Sequence, residues 1–369
     1  MKRKKIKKII VIIFLVIIVA IGGILGFIKF YPSIGKLPNQ SMQRSYQQKT
    51  KLYYDGEFHN SENIQWDNVE EGKKSENVSP KKDVPIKKRK NIKDTVINDM
   101  KITWFGHSTS LLQIHSMNIL IDPIFSNYAS PVSFMGSKRF SEIAMKTEDL
   151  PHIDVVFISH GDYDHLDYQT IKKIDHKVDT YIVPLGIDSY LKGWGVSDDK
   201  IIALSWWEET YINDVQFTLT EAQHYCVRNP LGFNETWWGG LYVRDEYHSF
   251  YYTGDSGYNT FFKKLNEKYG DIELFLSDTG QYDPAWKWCH MNPQEATQAA
   301  IDVKAKYHIP VHWGAFVLSN HAWNEPAKLL SQYEADSNVK TIIPMIGETV
   351  SLSKMETYNN KTWWEEESK

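Results

Sequence analysis

The sequence predicts a mixed domain of helices and strands, an α+β fold, preceded by one transmembrane helix. Residues 9–28 carry no charged side chain and are dominated by Ile, Val, Leu and Phe. From Ile102 onward, short apolar runs typical of strands alternate with helical patterns such as residues 260–269 and 293–307. Several of the strand-like runs are followed at once by histidine or aspartate. Together these observations place an anchor at the N-terminus and a domain with clustered polar residues behind it.

The N-terminal segment predicts a membrane anchor. About 20 apolar residues are needed to cross the hydrocarbon core of a bilayer, and residues 9–30 supply that length. Residues 1–8 are rich in lysine and arginine, which favours a cytoplasmic tail, a single pass through the cell membrane and an extracytoplasmic remainder. The alternative is a cleaved signal peptide, although the apolar region of such peptides is usually shorter and no Ala-x-Ala site follows here.

Residues 31–98 form a polar segment with few apolar clusters. A basic run, residues 81–90, lies in its second half. This composition is typical of a solvated linker or stalk between the anchor and a folded domain. The remaining residues, 99–369, are enough for one large domain.

Composition excludes some functions and leaves others open. The formal net charge of −4 over 369 residues gives no reason to expect a nucleic-acid partner. The two cysteines, Cys226 and Cys289, have neither zinc-finger nor redox-motif spacing. The sequence leaves open whether they pair in an exported chain or stay as buried thiols.

The segment SHGDYDHLD, residues 159–167, follows an apolar run and concentrates residue types that bind metals. A buried strand that ends in imidazoles and carboxylates places them together on one loop at a sheet edge. The spacing allows His160 and Asp162 to serve one metal ion and Asp164 and His165 another, as in two-metal hydrolases. The alternative is a polar turn in which Asp162 and Asp164 cap a helix near residues 168–173.

Further candidate ligands lie just beyond β-rich segments. These are His224 after residues 215–220, Asp255 after residues 250–254, and His312 after residues 309–311. Loops that follow strands gather at one end of a β sandwich, where binding sites form. Any one of the three could be a structural residue, but the set predicts a site assembled from distant parts of the chain.

Eight short motifs run in order along the chain between about residues 52 and 330. They are ITWFGHST (102–109), LIDP (120–123), SPV (130–132), the loop at 159–167, QH (223–224), TGDSGY (253–258), HMNPQEA (290–296) and VHWG (311–314). The chain thereby resembles metallo-β-lactamase-fold hydrolases, and within them the group containing N-acylphosphatidylethanolamine-hydrolysing phospholipase D. The resemblance implies a four-layer αββα sandwich. Residues 53–60 also resemble a segment that precedes the domain in that group, which implies that part of the linker is ordered.

The resemblance also implies a set of metal ligands. One ion takes His160, residue 162 and His224, and a second takes Asp164, His165 and His312, with Asp255 bridging both. Family members usually have histidine where this chain has Asp162. One or two zinc ions are expected. Because a carboxylate is a harder, negatively charged ligand than an imidazole, manganese and iron are the alternatives. Whether the shorter Asp162 reaches the first ion stays open.

Catalytic and supporting roles follow from the same resemblance. Asp164 is the group expected to orient the attacking water or accept its proton, which is compatible with a ligand role. His290 is placed at the metal cleft, where it could contact the phosphate or the leaving group. Asp122 is expected to accept a hydrogen bond from a ligand imidazole, the alternative being an Asp-Pro turn. His107 is a similar supporting candidate.

The anchor and the resemblance together predict a membrane-tethered, metal-dependent phosphodiesterase of phospholipase D type. Its substrate is expected to be a membrane lipid or another envelope phosphodiester, because tethering raises the effective concentration of such substrates. One alternative keeps the site but hydrolyses lactones or other esters. Another is a ligand-binding protein whose metal site is too impaired at Asp162 to turn over. The sequence indicates no oligomeric state.

Overall fold

The computed structural model describes residues 2–62, 64, 69–93, 98–230, 232–333 and 337–368. The other positions lie outside the described residues. They fall in the predicted basic tail (residue 1), the predicted linker (63, 65–68 and 94–97) and the predicted hydrolase domain (231, 334–336 and 369).

The secondary structure follows the mixed pattern of the sequence. The helices are α1 (Lys2–Phe30), α2 (Gln40–Lys49), α3 (Tyr168–Ile174), α4 (Ile187–Gly193), α5 (Phe261–Tyr269), α6 (Pro293–Asp302), α7 (Glu325–Tyr333) and α8 (Leu352–Met355). The strands are β1 (Tyr53–Tyr54), β2 (Glu57–Phe58), β3 (Lys101–Trp104), β4 (Ser110–Ile114), β5 (Met117–Ile121), β6 (Tyr128–Ala129), β7 (Ser137–Lys138), β8 (Ile153–Phe157), β9 (Val178–Pro184), β10 (Ile201–Leu204), β11 (Glu209–Ile212), β12 (Val215–Thr220), β13 (Gly240–Arg244), β14 (Ser249–Tyr252), β15 (Leu274–Asp278), β16 (Tyr307–Val311), β17 (Lys340–Thr341) and β18 (Thr349–Ser351).

The strands of the described residues form two seven-stranded sheets and two small hairpins, β1–β2 and β6–β7. The first sheet has the order β10-β9-β8-β5-β4-β3-β18, and the second has the order β11-β12-β13-β14-β15-β16-β17. Local sequence sets the tight turns. Asn213 and Asp214 both adopt positive φ between β11 and β12, the backbone that a two-residue hairpin turn requires and that Asn and Asp tolerate.

The sheets stack with helices outside them. Side chains from the first sheet, such as Ile119 and Phe157, share a buried core with Leu219 and Leu276 of the second. Helix α4 contacts β9 and β10, whereas α6 and α7 contact β15 and β16. A separate buried cluster that includes Phe262 joins these latter helices to the second sheet. The predicted α+β sandwich of two sheets is confirmed.

Strand direction brings the candidate residues to one edge. Strands β5 and β8 are parallel in the first sheet, and β14, β15 and β16 are parallel in the second. Strand β12 has the same direction as β14, because both are antiparallel to β13. In open sheets with parallel strands, ligands bind in the crevice outside the carboxyl ends of the strands. The residues that follow these strands therefore meet at one crevice.

Helix α1 covers the predicted anchor. Its Lys5–Phe30 part is long and apolar enough to cross a membrane, by length and composition. The apolar side chains along it are exposed, including Phe14 and Val19. A signal sequence near the N-terminus has the same length and composition.

The segment after α1 packs against the domain over its described part. Tyr46 of α2 is buried and donates a hydrogen bond to Asp188 Oδ1 (3.0 Å). Phe58 is buried and stacks on Trp237, with ring centroids 5.3 Å apart. The described part of this segment is therefore not solvated throughout, and Phe58 lies in residues 53–60, the part that the resemblance implied to be ordered. The low apolar content of the segment predicts a stalk, but three of its aromatic side chains, Tyr46, Tyr53 and Phe58, are buried in the core of the domain.

Candidate metal centre

Each candidate ligand lies in a loop that follows a strand ending at the common edge. Asp122 follows β5, and the loop that begins at Ser159 follows β8. In the second sheet His224 follows β12, Asp255 follows β14, and His312 follows β16. The fold thus brings together residues that are as much as 190 positions apart in sequence.

His160, Asp162 and His224 form one cluster of ligand-type atoms. The Oδ2 atom of Asp162 lies 3.6 Å from His160 Nε2 and 3.9 Å from His224 Nε2. Asp162 therefore extends far enough to share a site with both imidazoles. This geometry favours a ligand role over the alternative in which the shorter side chain falls short.

A second cluster joins Asp164, His165 and His312. The Oδ2 atom of Asp164 lies 3.4 Å from His165 Nε2 and 3.3 Å from His312 Nε2. Asp255 lies between the two clusters. Its Oδ2 atom is 3.7 Å from His160 Nε2, 3.2 Å from His165 Nε2 and 3.3 Å from His312 Nε2.

Polar atoms at the centre lack partners that their burial demands. Within the described residues, His160 Nε2, His224 Nε2 and Asp255 Oδ1 are buried without a hydrogen-bond partner. Buried polar atoms are normally satisfied, because leaving one unpaired costs about 1–3 kcal/mol. Imidazole nitrogens and carboxylate oxygens are the ligands that zinc, manganese and iron accept. The residues present therefore fit divalent metal ions.

Comparison with known proteins agrees with this geometry. A family model described as the beta-lactamase superfamily domain matches residues 117–313. An uncharacterized protein of Mycobacterium tuberculosis is 34% identical over 255 residues, which are 68% of this chain and 68% of that protein. This chain belongs to the metallo-β-lactamase superfamily. It is a metal-dependent hydrolase of that superfamily.

Two more similarities extend this result. The N-acyl-phosphatidylethanolamine-hydrolyzing phospholipase D 1 of Caenorhabditis elegans is 35% identical over 226 residues, which are 58% of this chain and 64% of that protein. The structure of a metallo hydrolase from the archaeon Ignicoccus hospitalis aligns with a TM-score of 0.53 at 18% identity. That alignment covers 71% of this chain and all of the archaeal chain. At such low identity the structural match supports the shared metallo-β-lactamase fold alone.

The carboxylates of this metallo-β-lactamase centre are held in the ionised form. Desolvation raises the pKa of Asp162, but contacts with His160 and His224 outweigh it and leave the pKa below its ordinary value. Asp164 and Asp255 show the same balance, and the pKa of each lies well below its ordinary value. Ionised carboxylates are the form that binds metal ions.

Asp122 contacts the candidate ligand His165, the kind of contact that the resemblance implies. The buried Asp122 carboxylate accepts hydrogen bonds at Oδ2 from His165 Nδ1 (2.8 Å) and Tyr252 Oη (2.6 Å). Its Oδ1 accepts from the backbone N–H of Ser159 (2.7 Å). These bonds fix the proton of His165 on Nδ1 and leave Nε2 for the centre.

His107 lies among the candidate ligand atoms, closer to the centre than a purely supporting residue would. It is fully buried, and its Nε2 lies 2.8 Å from Asp164 Oδ2. It also belongs to the cluster of ligand-type atoms around Asp164, His165 and His312. His107 therefore holds the same Asp164 oxygen that faces His165 and His312.

Asp278, at the end of β15, is a site residue that sequence reasoning missed. Its Oδ2 accepts a hydrogen bond from His290 Nδ1 (2.8 Å), and its Oδ1 accepts from His312 Nδ1 (2.9 Å). One buried carboxylate thus orients a candidate metal ligand and the candidate catalytic histidine together. Its position at the end of a strand, like that of the other site residues, was the signal that could have identified it.

Asn60 of the preceding segment holds the backbone of His224. Its Nδ2 donates to the carbonyl oxygen of His224 (2.8 Å), and its Oδ1 accepts from the backbone N–H of His224 (3.2 Å). The same Oδ1 also accepts from Trp238 Nε1 (3.2 Å). The side-chain amide therefore pairs with His224 as a neighbouring strand would. Asn60 ends the segment 53–60 that the resemblance singled out, but that resemblance did not indicate this contact.

Arg228 is buried and braces the loop that carries four of the candidate ligands. Its Nη1 donates to the carbonyl oxygens of Gly161 and Leu166, both at 2.8 Å. Its Nη2 donates to the carbonyl oxygen of Ser33 (2.6 Å), and the guanidinium lies over the ring of Tyr163. Sequence reasoning missed this residue too, because it acts on backbone atoms that are distant in sequence.

The structure also separates the alternatives for the loop and the cysteines. The cap of α3 is Asp167, whose side chain accepts from the backbone N–H of Gln169, so neither Asp162 nor Asp164 caps that helix. Cys226 and Cys289 are both buried free thiols. The backbone carbonyl of Cys289 lies 3.1 Å from His224 Nδ1, which leaves Nε2 of that ligand facing the centre.

Proposed function

We propose that this protein is a membrane-anchored, metal-dependent phosphodiesterase of phospholipase D type. The observation that carries the proposal is the position of Asp255, within 3.7 Å of imidazoles from both ligand clusters. This arrangement suits a pair of metal ions, which clamp the attacking and leaving oxygens of a phosphodiester. Similarity to a nematode phospholipase D favours phosphodiesters over other hydrolysable bonds.

The proposed ligands fall into two groups joined by Asp255. His160, Asp162 and His224 hold one ion, and Asp164, His165 and His312 hold the other. The ions are zinc, or manganese or iron at the position with the additional carboxylate of Asp162. When bound, they supply a nucleophile at neutral pH and neutralise charge on the phosphate oxygens.

Two residues move protons in this proposal. Asp164 Oδ2, held by His107, takes a proton from the attacking water as its oxygen forms the new bond to phosphorus. The bond from phosphorus to the leaving oxygen breaks, and His290 Nε2 gives that oxygen a proton, which releases an alcohol and a phosphomonoester. Asp278 holds His290 by Nδ1, which leaves Nε2 as the nitrogen for this proton transfer.

The anchor places the site beside its substrate. In this proposal α1 spans the membrane with residues 1–8 in the cytoplasm and the catalytic domain outside. The substrate is then a membrane lipid or another phosphodiester of the envelope. Protease added to intact cells is expected to digest the domain, and full protection would reverse the topology.

The activity is tested with bis-p-nitrophenyl phosphate in the presence of zinc, manganese or iron. The native protein is expected to hydrolyse it with at least one metal, and His165→Ala is expected to lose about 10³-fold or more. Asp162→His is expected to remain active and to shift its metal preference toward zinc. Release of labelled headgroup from lipid vesicles then tests the lipid substrate.

The other outcomes distinguish the remaining functions. Hydrolysis of lactones or simple esters without phosphodiester cleavage would identify a metal-dependent esterase. If neither the native protein nor Asp162→His shows hydrolytic activity with any of the metals, a ligand-binding protein is favoured. Activity that survives His165→Ala would remove the proposed site from the chemistry.

A further inference from the structure

Two large apolar side chains lie exposed at the tip of the β6–β7 hairpin. Phe134 is 80% exposed and Met135 is 63% exposed. Beyond residue 31, no other neighbouring pair of large apolar residues is exposed in the described part of the chain. The base of the hairpin is fixed to the domain, since Ser137 Oγ donates to the carbonyl oxygen of Val317 (2.9 Å). The tip is therefore held out from the surface in a defined place.

That place is next to the end of the predicted anchor. Ser33 Oγ donates a hydrogen bond to the carbonyl oxygen of Pro131, at 2.5 Å. Ser33 is three residues after Phe30, the last residue of α1. Pro131 lies three residues before Phe134 in the hairpin. The exposed tip and the end of the apolar helix are thus joined through one hydrogen bond and a few residues of chain.

A second loop reaches the same point and also exposes apolar residues. Val227 and Phe233 flank Arg228 on the loop after β12, and both are more than 40% exposed. Arg228 binds the carbonyl oxygen of Ser33, which brings this loop to the end of α1 as well. We call Phe134, Met135, Val227 and Phe233 the apolar rim.

The apolar rim leads into the candidate metal centre. The ring of Phe233 stacks on Tyr225, with centroids 6.2 Å apart. Tyr225 in turn stacks on the candidate ligand His224, with centroids 5.1 Å apart. The backbone N–H of Val227 donates to Asp162 Oδ1 (3.2 Å). Aromatic surface therefore continues from the rim to the first ligand cluster.

The surroundings of the helix end have the composition of a membrane–water boundary. A cavity of about 310 Å³ lies there, lined by Lys29, Tyr31, Lys36, Tyr168 and Trp194 among others. Amphipathic aromatic rings are enriched at the headgroup level, and lysines there attract anionic lipids. Both features suit a position of this side of the domain against a bilayer.

We propose that the apolar rim inserts into the leaflet that surrounds the Phe30 end of α1. The rim is then a second contact between the protein and its membrane. The partner is a phospholipid surface, because exposed apolar side chains beside a membrane-spanning helix meet lipid. This proposal rests on the proposed function for the anchor and deepens it. A lipid substrate reaches the metal centre by sliding along the rim from the leaflet, without crossing water.

Fluorescence of a single labelled cysteine tests the insertion. The native cysteines are buried, so Met135→Cys in the full-length protein gives one accessible site for an environment-sensitive dye such as NBD. The protein is reconstituted in vesicles of phosphatidylcholine and phosphatidylglycerol. The expected result is a blue shift and a several-fold increase of emission relative to the unfolded protein, with strong quenching by doxyl-labelled lipids.

The matched control is Ile301→Cys, an exposed apolar position on α6 at the other sheet. Its dye is expected to show a water-like spectrum and no quenching by doxyl lipids. A water-like spectrum at position 135 would overturn the proposal. A blue-shifted dye that doxyl lipids do not quench would also overturn it, and would indicate contact with a second copy of the chain.

A kinetic readout separates this inference from the proposed function. Phe134→Ser with Met135→Ser is expected to raise KM for vesicle substrate about tenfold and to leave hydrolysis of soluble bis-p-nitrophenyl phosphate unchanged. Equal loss on both substrates would contradict a role in lipid access. The dye measurement requires no turnover. If the dye inserts into the bilayer but the protein has no phosphodiesterase activity, the proposed function is wrong and the proposed membrane contact stands.

Discussion

Asp255→Asn is expected to reduce hydrolytic activity by about 10³-fold or more and to lower the metal content of the purified protein. Asparagine preserves the shape of the side chain but removes the charge that faces His160, His165 and His312. A neutral oxygen binds a divalent cation more weakly, and about 4 kcal/mol of lost transition-state stabilisation corresponds to this factor. Elemental analysis after dialysis and the phosphodiester assay measure the two effects.

Asp245→Asn is the matched control. Asp245 is also buried, and its carboxylate accepts hydrogen bonds from the backbone N–H groups of Tyr247 and His248. It lies in the turn before β14, at the end of that strand opposite to Asp255. This variant is expected to keep native metal content and activity. Native behaviour of Asp255→Asn would show that the two ligand clusters do not share that carboxylate.

Arg228→Met is expected to have the largest effect on stability, about 3–5 kcal/mol. The methionine fills much of the space but leaves the carbonyl oxygens of Gly161, Leu166 and Ser33 without their donor. Each buried acceptor left unpaired costs about 1–3 kcal/mol. The midpoint of thermal unfolding is expected to fall by on the order of 10 °C. Metal affinity is also expected to fall about tenfold or more, since the ligand loop loses its brace.

Two further variants isolate the cause. Arg244→Met removes an exposed arginine whose Nη1 donates to the carbonyl oxygen of Tyr269 (3.3 Å), and it is expected to change stability little. Arg228→Lys keeps the charge but loses the planar guanidinium that reaches several carbonyl oxygens. Its stability is therefore expected to lie between that of Arg228→Met and that of the native protein. If Arg228→Met has the same midpoint of thermal unfolding as the native protein, the proposed bracing of the loop is wrong.

The sequence was most informative where strands end. His160, His224 and His312 each follow an apolar run, and parallel strands bring their carboxyl ends to one edge, so their convergence follows from a local pattern. The short distances among these side chains agree with that expectation. Their roles as metal ligands stay predictions. Helix α6 begins at Pro293, where the predicted helix 293–307 begins, and the structure shows a capping box of Asn292 and Glu295 there. The predicted end is wrong, because α6 stops at Asp302 and β16 begins at Tyr307.

The remaining features depend on contacts that no local pattern encodes. Asn60 binds the backbone of His224 across 164 positions, and the resemblance of residues 53–60 to a pre-domain segment predicts order there but not this contact. Arg228 is a buried cation that binds carbonyl oxygens, whereas composition predicts that arginines lie at the surface. Such residues are recognised only when the loops they join are seen together.

The hydrogen bonds between Asn60 and His224 join the segment before the predicted domain to the candidate metal centre. A shortened protein that starts at residue 99, where the sequence suggested a domain boundary, would lack both Asn60 and the Ser33 carbonyl that Arg228 binds. We therefore expect a shortened protein that begins near residue 31, without α1, to keep its activity. A protein that also lacks residues 31–60 is expected to lose it.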